Sequence, residues 1–421
     1  MHVLRALSLV ALCVIPALGV EKIPLDEYRQ RRAQLRKEVG DSVVILFGHS
    51  EQENGGDLRT GFFQEANFYY LTGWKETGAI LVLTPSSEVL LIPRRDREQE
   101  KWTGPKLTPE DSGARGVTGF DTLLASEEFE SHIGHWAEQG KKIYTLPGTP
   151  ASEGLKRVLP LRQFADAALP IARLRMKKSA SELALIQRST DASIDAHFAA
   201  WRIIRPGVPE FKVAALMEGT YFAEGCERNA YAPIVGSGPN AAILHYSANR
   251  RTIDQGEVVL MDVAGECSMY ASDITRTVPV NGKFTPRQRE LYEIVLGAQN
   301  AVINATKPGM SLGRVGPTSL NKVARDYFDS HGKDKHGEPL GKYFTHGIGH
   351  HVGLDVHDAN DPALPLAADM VITVEPGLYI PEEGIGIRIE DVVQVTDNGA
   401  KILTSRLPRD PDEIEKFFAS R

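Results

Sequence analysis

Two apolar stretches constrain this 421-residue chain more than any other feature, because each reads as a buried hairpin with two acids inside it. In EVVLMDVAGECSMYASDITRTVPV, Glu257 to Val280, strands near 257–264 and 269–279 flank a turn around Gly265–Met269. Asp262 and Asp273 are equidistant from the Cys267–Ser268 pair, so a symmetric turn sets them opposite each other. MVITVEPGLYIPEEGIGIRIEDVVQV, Met370 to Val395, turns around Pro381–Gly384, with Glu375 and Glu390 equidistant from Glu382–Glu383. Like charges directly across an antiparallel pair are destabilising, and an unpaired carboxylate among valines, isoleucines and leucines costs more still. A single facing pair is equally well explained by a sheet edge or a shared proton. Two hairpins repeating one arrangement point instead to a divalent cation that neutralises the cluster.

The stretch THGIGHHVGLDVHD, Thr345 to Asp358, supplies imidazoles. His346 and His350 have the i, i+4 spacing of a zinc-protease helix, but the glutamate of an H-E-x-x-H motif is absent and Gly347 and Gly349 stand between them. Glycine costs about 1 kcal/mol per helical position relative to alanine, so the stretch reads as a loop whose site is completed from elsewhere. Four carboxylates and one imidazole suit two cations sharing bridging carboxylates, and hard oxygen donors favour manganese over a thiolate-type zinc site. Arg388 lies two residues before Glu390, so on a strand it points the same way and can orient the acids or a substrate carboxylate.

The remainder reads as two domains. From Asp41 to about Ala172, the strands SVVILF, AILVLT, VLLIPR and KKIYTL alternate with helical stretches, as in an α/β domain. GFFQEANFYYLTGW, Gly61 to Trp74, reads as a loop and strand whose aromatics serve a core or a subunit contact. Ser179 and Glu182 form a capping box that opens a long amphipathic helix, and helices over about 179–204, 209–224, 285–306 and 312–331 mark an α+β second half. The division is residues 20–174 and 175–421.

Residues 1–19 read as a secretory signal peptide. Arg5 precedes a fifteen-residue uncharged run, too short to span a membrane and containing Pro16, and cleavage is expected near Gly19. The expectation is a secreted or periplasmic protein with no stable membrane insertion after cleavage. A net charge of -7 and the lack of a basic run exclude nucleic acid as a partner. Cys226 and Cys267, the cysteines left after cleavage, either pair or remain buried thiols.

These segments resemble the methionine-aminopeptidase-like, pita-bread (M24) metallopeptidases, and within them the aminopeptidase P (Xaa-Pro aminopeptidase) and prolidase group. The resemblance covers roughly residues 40–415, FFQEANFYYLTGW included. It implies a pita-bread α+β catalytic domain behind a smaller α/β N-terminal domain. It implies five metal ligands in order, Asp262 in LMDVAGE, Asp273 in ASDITRT, His350 in HGIGHHVGLDVHD, Glu375 in TVEPGLY and Glu390 in GIRIED, with Asp273 and Glu390 bridging. His351, beside the ligand histidine, departs from the aromatic or apolar residue common there, but the spacing to GLDVHD favours His350.

The implied cofactor is two divalent ions, manganese first, with zinc or cobalt as alternatives. The implied reaction is attack of a metal-activated hydroxide on the bond between an N-terminal residue and a penultimate proline. Glu375 would then shuttle the proton, His245 in GSGPNAAILHYS and His357 in GLDVHD would hold the reacting carbonyl, and His346 would contact substrate beyond the scissile bond. A homo-oligomer, dimer or tetramer, is implied as well. The alternatives are a prolidase with the same site, a metal-free creatinase-like hydrolase, and a non-catalytic pita-bread binding module; the complete ligand set argues against the last two.

Overall fold

The computed structural model describes residues 22–50 and 61–421, so the signal-peptide reading falls outside the described residues. Six strands make the first sheet: β1 (Val43–Phe47), β2 (Ile80–Leu83), β3 (Glu88–Ile92), β4 (Thr122–Ala125), β5 (Ile143–Thr145) and β6 (Phe164–Asp166). Their order is β4-β3-β2-β1-β5-β6, with β2 antiparallel to both β1 and β3 and the outer pairings parallel. The central strands β1 and β2 are apolar throughout because the sheet is covered on both faces there. Val44, Leu46, Leu81, Leu83 and Leu90 enter one core cluster, and Val43, Ile45, Val82, Val89 and Leu91 enter another.

The first of these clusters does not end with the sheet. It continues through Phe68, Tyr69 and Tyr70 to Met269, Tyr270, Val352 and Leu354 of the second domain. The aromatic segment expected as loop and strand is instead a helix, Ala66–Thr72. Its ends explain the difference: the Glu65 side chain accepts the Phe68 N–H at the N-terminus, and Gly73, at φ 66°, closes the C-terminus. Those local caps outweigh the strand preference of Phe68, Tyr69 and Tyr70.

In the second domain two antiparallel helix pairs, Ala180–Ile203 with Glu210–Ala223 and Pro286–Ala305 with Leu320–His331, pack beside short antiparallel sheets. Both halves of the Ser179–Glu182 capping box are formed. The helix expected over 312–331 starts at Leu320, because Gly313, Gly316 (φ 109°) and Pro317 break the run and Ser319 caps the N-terminus through the Lys322 N–H. The strands are β7 (Arg228–Asn229), β8 (Ile234–Ser237), β9 (Val258–Asp262), β10 (Gly265–Cys267), β11 (Tyr270–Ala271), β12 (Thr275–Pro279), β13 (Val371–Val374), β14 (Gly377–Ile380), β15 (Ile385–Arg388), β16 (Asp391–Thr396) and β17 (Gly399–Ile402). Cys226 and Cys267 form a disulfide.

One hairpin register agrees with the sequence expectation and the other is shifted. Val374 faces Asp391 and Gly377 faces Arg388, so Glu375 and Glu390 stand opposite each other around the Pro381–Gly384 turn. In the first hairpin, however, Asp262 faces Thr275 and Glu266 faces Ala271. The axis therefore lies at Ser268–Met269, one position later than expected, and Asp273 is diagonal to Asp262. Ser268 and Met269 both adopt positive φ, 53° and 73°, the tight two-residue turn usually given to asparagine and glycine. Neither residue type announces that conformation in a sequence.

Candidate active site

The five acid and histidine positions expected as ligands, together with His245, His346, His357 and Arg388, all line one cavity of about 470 Å³. Asp262 at the end of β9, Asp273 just before β12, Glu375 at the β13–β14 junction and Glu390 at the β15–β16 junction bring the carboxylates in from three sheets. The histidine loop closes the third side by running along β13: Thr373 N donates to His350 O at 2.9 Å and Glu375 N to Ile348 O at 2.9 Å. This close approach accounts for Gly349, since a Cβ there would lie 2.1 Å from Thr373 O.

Asp273, His350 and Glu390 each place a donor atom within 4.8 Å of the others. His350 Nε2 lies 3.3 Å from Asp273 and 3.6 Å from Glu375. His351 points elsewhere, buried near Lys178 and Asp358 with its Nδ1 unpartnered. Asp262 receives Arg388 Nη2 at 2.5 Å on one oxygen, while its other oxygen, Oδ1, is buried without any hydrogen-bond partner.

The electrostatics describe a cluster short of positive charge. Burial, reinforced by Asp273 and neighbouring acids, pushes Glu390 well above the usual carboxylate range and Glu375 up to about 7, with His350 pulling the latter down. Burial also raises Asp262 against the pull of Arg388. Burial disfavours a charged His350, yet its hydrogen bond with Asp273 carries it up to about 9. An orphaned carboxylate oxygen, a tight Asp–His–Glu cluster and hard oxygen donors together fit divalent cations.

The histidines differ in surroundings. The His357 ring sits 4.0 Å from the His350 ring, and burial lowers its pKa. His346 Nε2 pairs with Tyr379 Oη at 2.8 Å, and burial with nearby Arg388 brings the ring down to about 4, so it is neutral near pH 7.

Four contributors escaped the sequence reading. Thr275 Oγ1 donates to Glu390 at 2.6 Å and accepts from Arg388 Nε at 3.0 Å. Tyr379 accepts from Arg388 Nη1 at 2.8 Å, Thr373 donates to Glu375 at 3.3 Å, and Tyr231 lines the cavity beside Asp262, Asp273 and Glu390. The correct register would have exposed Thr275 as the residue facing Asp262. Tyr231 carries no local signal at all.

This fold and acid-lined cavity define a pita-bread metallopeptidase. Residues 184–397 match metallopeptidase family M24, and residues 28–144 match the aminopeptidase P N-terminal domain. The chain is 34% identical to Xaa-Pro aminopeptidase 3 of Mus musculus over 90% of its length and 81% of the relative's. It is 32% identical to the Xaa-Pro aminopeptidase of Haemophilus influenzae over 94% of its length and 98% of the relative's. The structure of E. coli aminopeptidase P with the inhibitor Pro-Leu superposes with a TM-score of 0.86 at 30% identity, covering 95% of this chain and 99% of that one. The chain belongs to the M24 metallopeptidases, in their aminopeptidase P branch, a family whose members work with divalent metal ions.

Proposed function

We propose that this chain is an Xaa-Pro aminopeptidase, releasing the N-terminal residue of peptides whose second residue is proline. The single observation that carries the chemistry is the convergence of four carboxylates, His350 and three further histidines on one cavity. The names of its relatives, and the Pro-Leu inhibitor of the E. coli enzyme, support proline recognition and favour the aminopeptidase over the dipeptidase reading.

Asp262, Asp273, His350, Glu375 and Glu390 would hold two divalent ions, manganese foremost. When bound, such ions act as Lewis acids that make water nucleophilic near neutral pH and polarise the scissile carbonyl. Glu375, at the cavity wall between β13 and β14, holds and returns the proton moved during attack. His245 and His357, at the cavity wall, donate to the carbonyl oxygen as charge develops on it. His346, fixed by Tyr379, contacts the residue after the scissile bond. Arg388, bonded to Asp262, Thr275 and Tyr379, is a positioning residue that locks one wall of the site. The apolar N-terminal run supports export to a periplasm or beyond, and the mature chain is proposed to act as a homo-oligomer.

The direct test is hydrolysis of an Xaa-Pro-Yaa tripeptide by metal-stripped protein, with and without manganese. Manganese-dependent release of the free N-terminal amino acid is expected. Cleavage of the Xaa-Pro dipeptide alone would instead make the enzyme a prolidase.

A further inference from the structure

A second cleft of about 410 Å³ opens beside the central cavity, between the segment 312–319 and the helix Leu320–His331. His346 lines both, so the two spaces meet at that ring. The cleft carries three cations, Arg314, Lys322 and Arg325, against a single carboxylate, Asp326. Two of the cations are committed. Lys322 pairs with Asp326 at 2.5 Å, one helical turn away, and Arg325 donates to Gly341 O and Phe344 O, both at 3.0 Å. Arg314 is exposed and, among the described residues, has neither an ion pair nor a hydrogen bond.

Two further features of the same cleft look for a ligand. Asn321 is 3% exposed, yet its side-chain oxygen is buried without a hydrogen-bond partner. Buried polar atoms are rarely left unpaired, and an amide beside an uncommitted guanidinium is equipped to take peptide backbone. Val315 is 85% exposed on the same segment, an apolar surface at the mouth of a charged cleft.

We propose that this cleft receives the C-terminal end of a short peptide substrate, with Arg314 pairing its free α-carboxylate, Asn321 bonding its backbone, and Val315 covering the side chain after proline. The inference rests on the Xaa-Pro aminopeptidase reading and adds to it a preference for short peptides ending in a free acid. A guanidinium binds a carboxylate through two parallel N–H donors, which an amidated terminus cannot match. Arg314 is outside the acid cluster, so its loss acts on binding and not on the reaction itself.

The experiment compares Ala-Pro-Leu with Ala-Pro-Leu-amide for the wild-type enzyme, Arg314→Ala and Arg314→Glu, all loaded with manganese. The wild type is expected to favour the free acid by roughly fivefold in kcat/KM, expressed mainly in KM. Arg314→Ala should bring the acid-to-amide ratio to about one, and Arg314→Glu should invert it. An acid-to-amide ratio that Arg314→Ala leaves unchanged, or a wild type that shows no preference, overturns the assignment of the cleft. A wild type that cleaves neither peptide overturns the aminopeptidase reading itself, and with it this inference.

Discussion

Lys178 Nζ lies 2.7 Å from the Asp358 carboxylate, and both side chains are only 1% exposed. Arg175 joins the same carboxylate and also reaches Asp355 at 2.7 Å and Asn67 Oδ1 at 2.8 Å. The segment joining the domains is thereby tied to the loop that carries His350 and His357, and to the aromatic helix of the first domain. Gly353 belongs to this arrangement, since a Cβ there would lie 2.3 Å from Asp358 Oδ2. Burial would raise the Asp358 pKa, but Arg175 and Lys178 hold it at about 2. The stability this contributes is present above the ordinary carboxylate range and is lost as pH falls through about 2.

Asp358→Asn leaves two cations buried without their shared counter-charge. We expect a loss of about 3–5 kcal/mol in urea denaturation, the range typical of breaking a buried ion pair from one side. A loss under 1 kcal/mol would mean that Asp355 takes over the role.

Metal affinity should rise with pH. Glu375 near 7 and His350 near 9 both hold protons that cations must displace. Calorimetric titration of the stripped protein with manganese should show weaker binding at pH 5 than at pH 8, with protons released into the buffer. Pronounced proton release on binding is the diagnostic, and its absence would contradict the charge balance described above.

The same two groups, alongside Glu390 and Asp262, contribute to the pH dependence of stability of the metal-free protein. Both pKa values are raised in the folded state, so the native form binds more protons than the unfolded one between the ordinary values and about 7 and 9. Their contribution is therefore complete at low pH and is lost as pH rises through those values. In thermal melts, added manganese should raise Tm more at pH 8 than at pH 5.

Asp273→Asn keeps the shape of a side chain that sits within reach of His350 and removes its charge. The variant should fold, as judged by an unchanged circular dichroism spectrum, yet bind less metal and lose at least about a hundredfold in kcat. Wild-type turnover would overturn the placement of Asp273 in the metal site.

His245→Ala should retain metal and lose about a hundredfold in kcat, the scale of one missing donor to a developing oxyanion. Metal analysis of the purified variant separates this role from ligation. Loss of metal would move His245 into the ligand set.

Apolar runs on either side of a turn marked the strands of both hairpins, and the Ser179–Glu182 capping box marked the start of the long helix, because such signals act over a few neighbouring residues. The acids were legible for a related reason: buried charge in an apolar strand is costly enough to demand a partner. Arg388 was legible from its spacing to Glu390, and His350 from the family resemblance of its glycine-rich loop. Other features depended on contacts between distant parts of the chain. Tertiary packing decided that Ser268 and Met269 take the turn and that Thr275, not Asp273, faces Asp262. It also brought Tyr231 to the acids, Tyr379 to Arg388 and His346, and Lys178 to Asp358. Sequence by itself determined which residues must be neutralised. Only the folded chain decided which neighbours surround them, because side chains separated by a hundred or more residues, such as Arg388 and Asp262, meet through the pairing of whole strands rather than through any local preference.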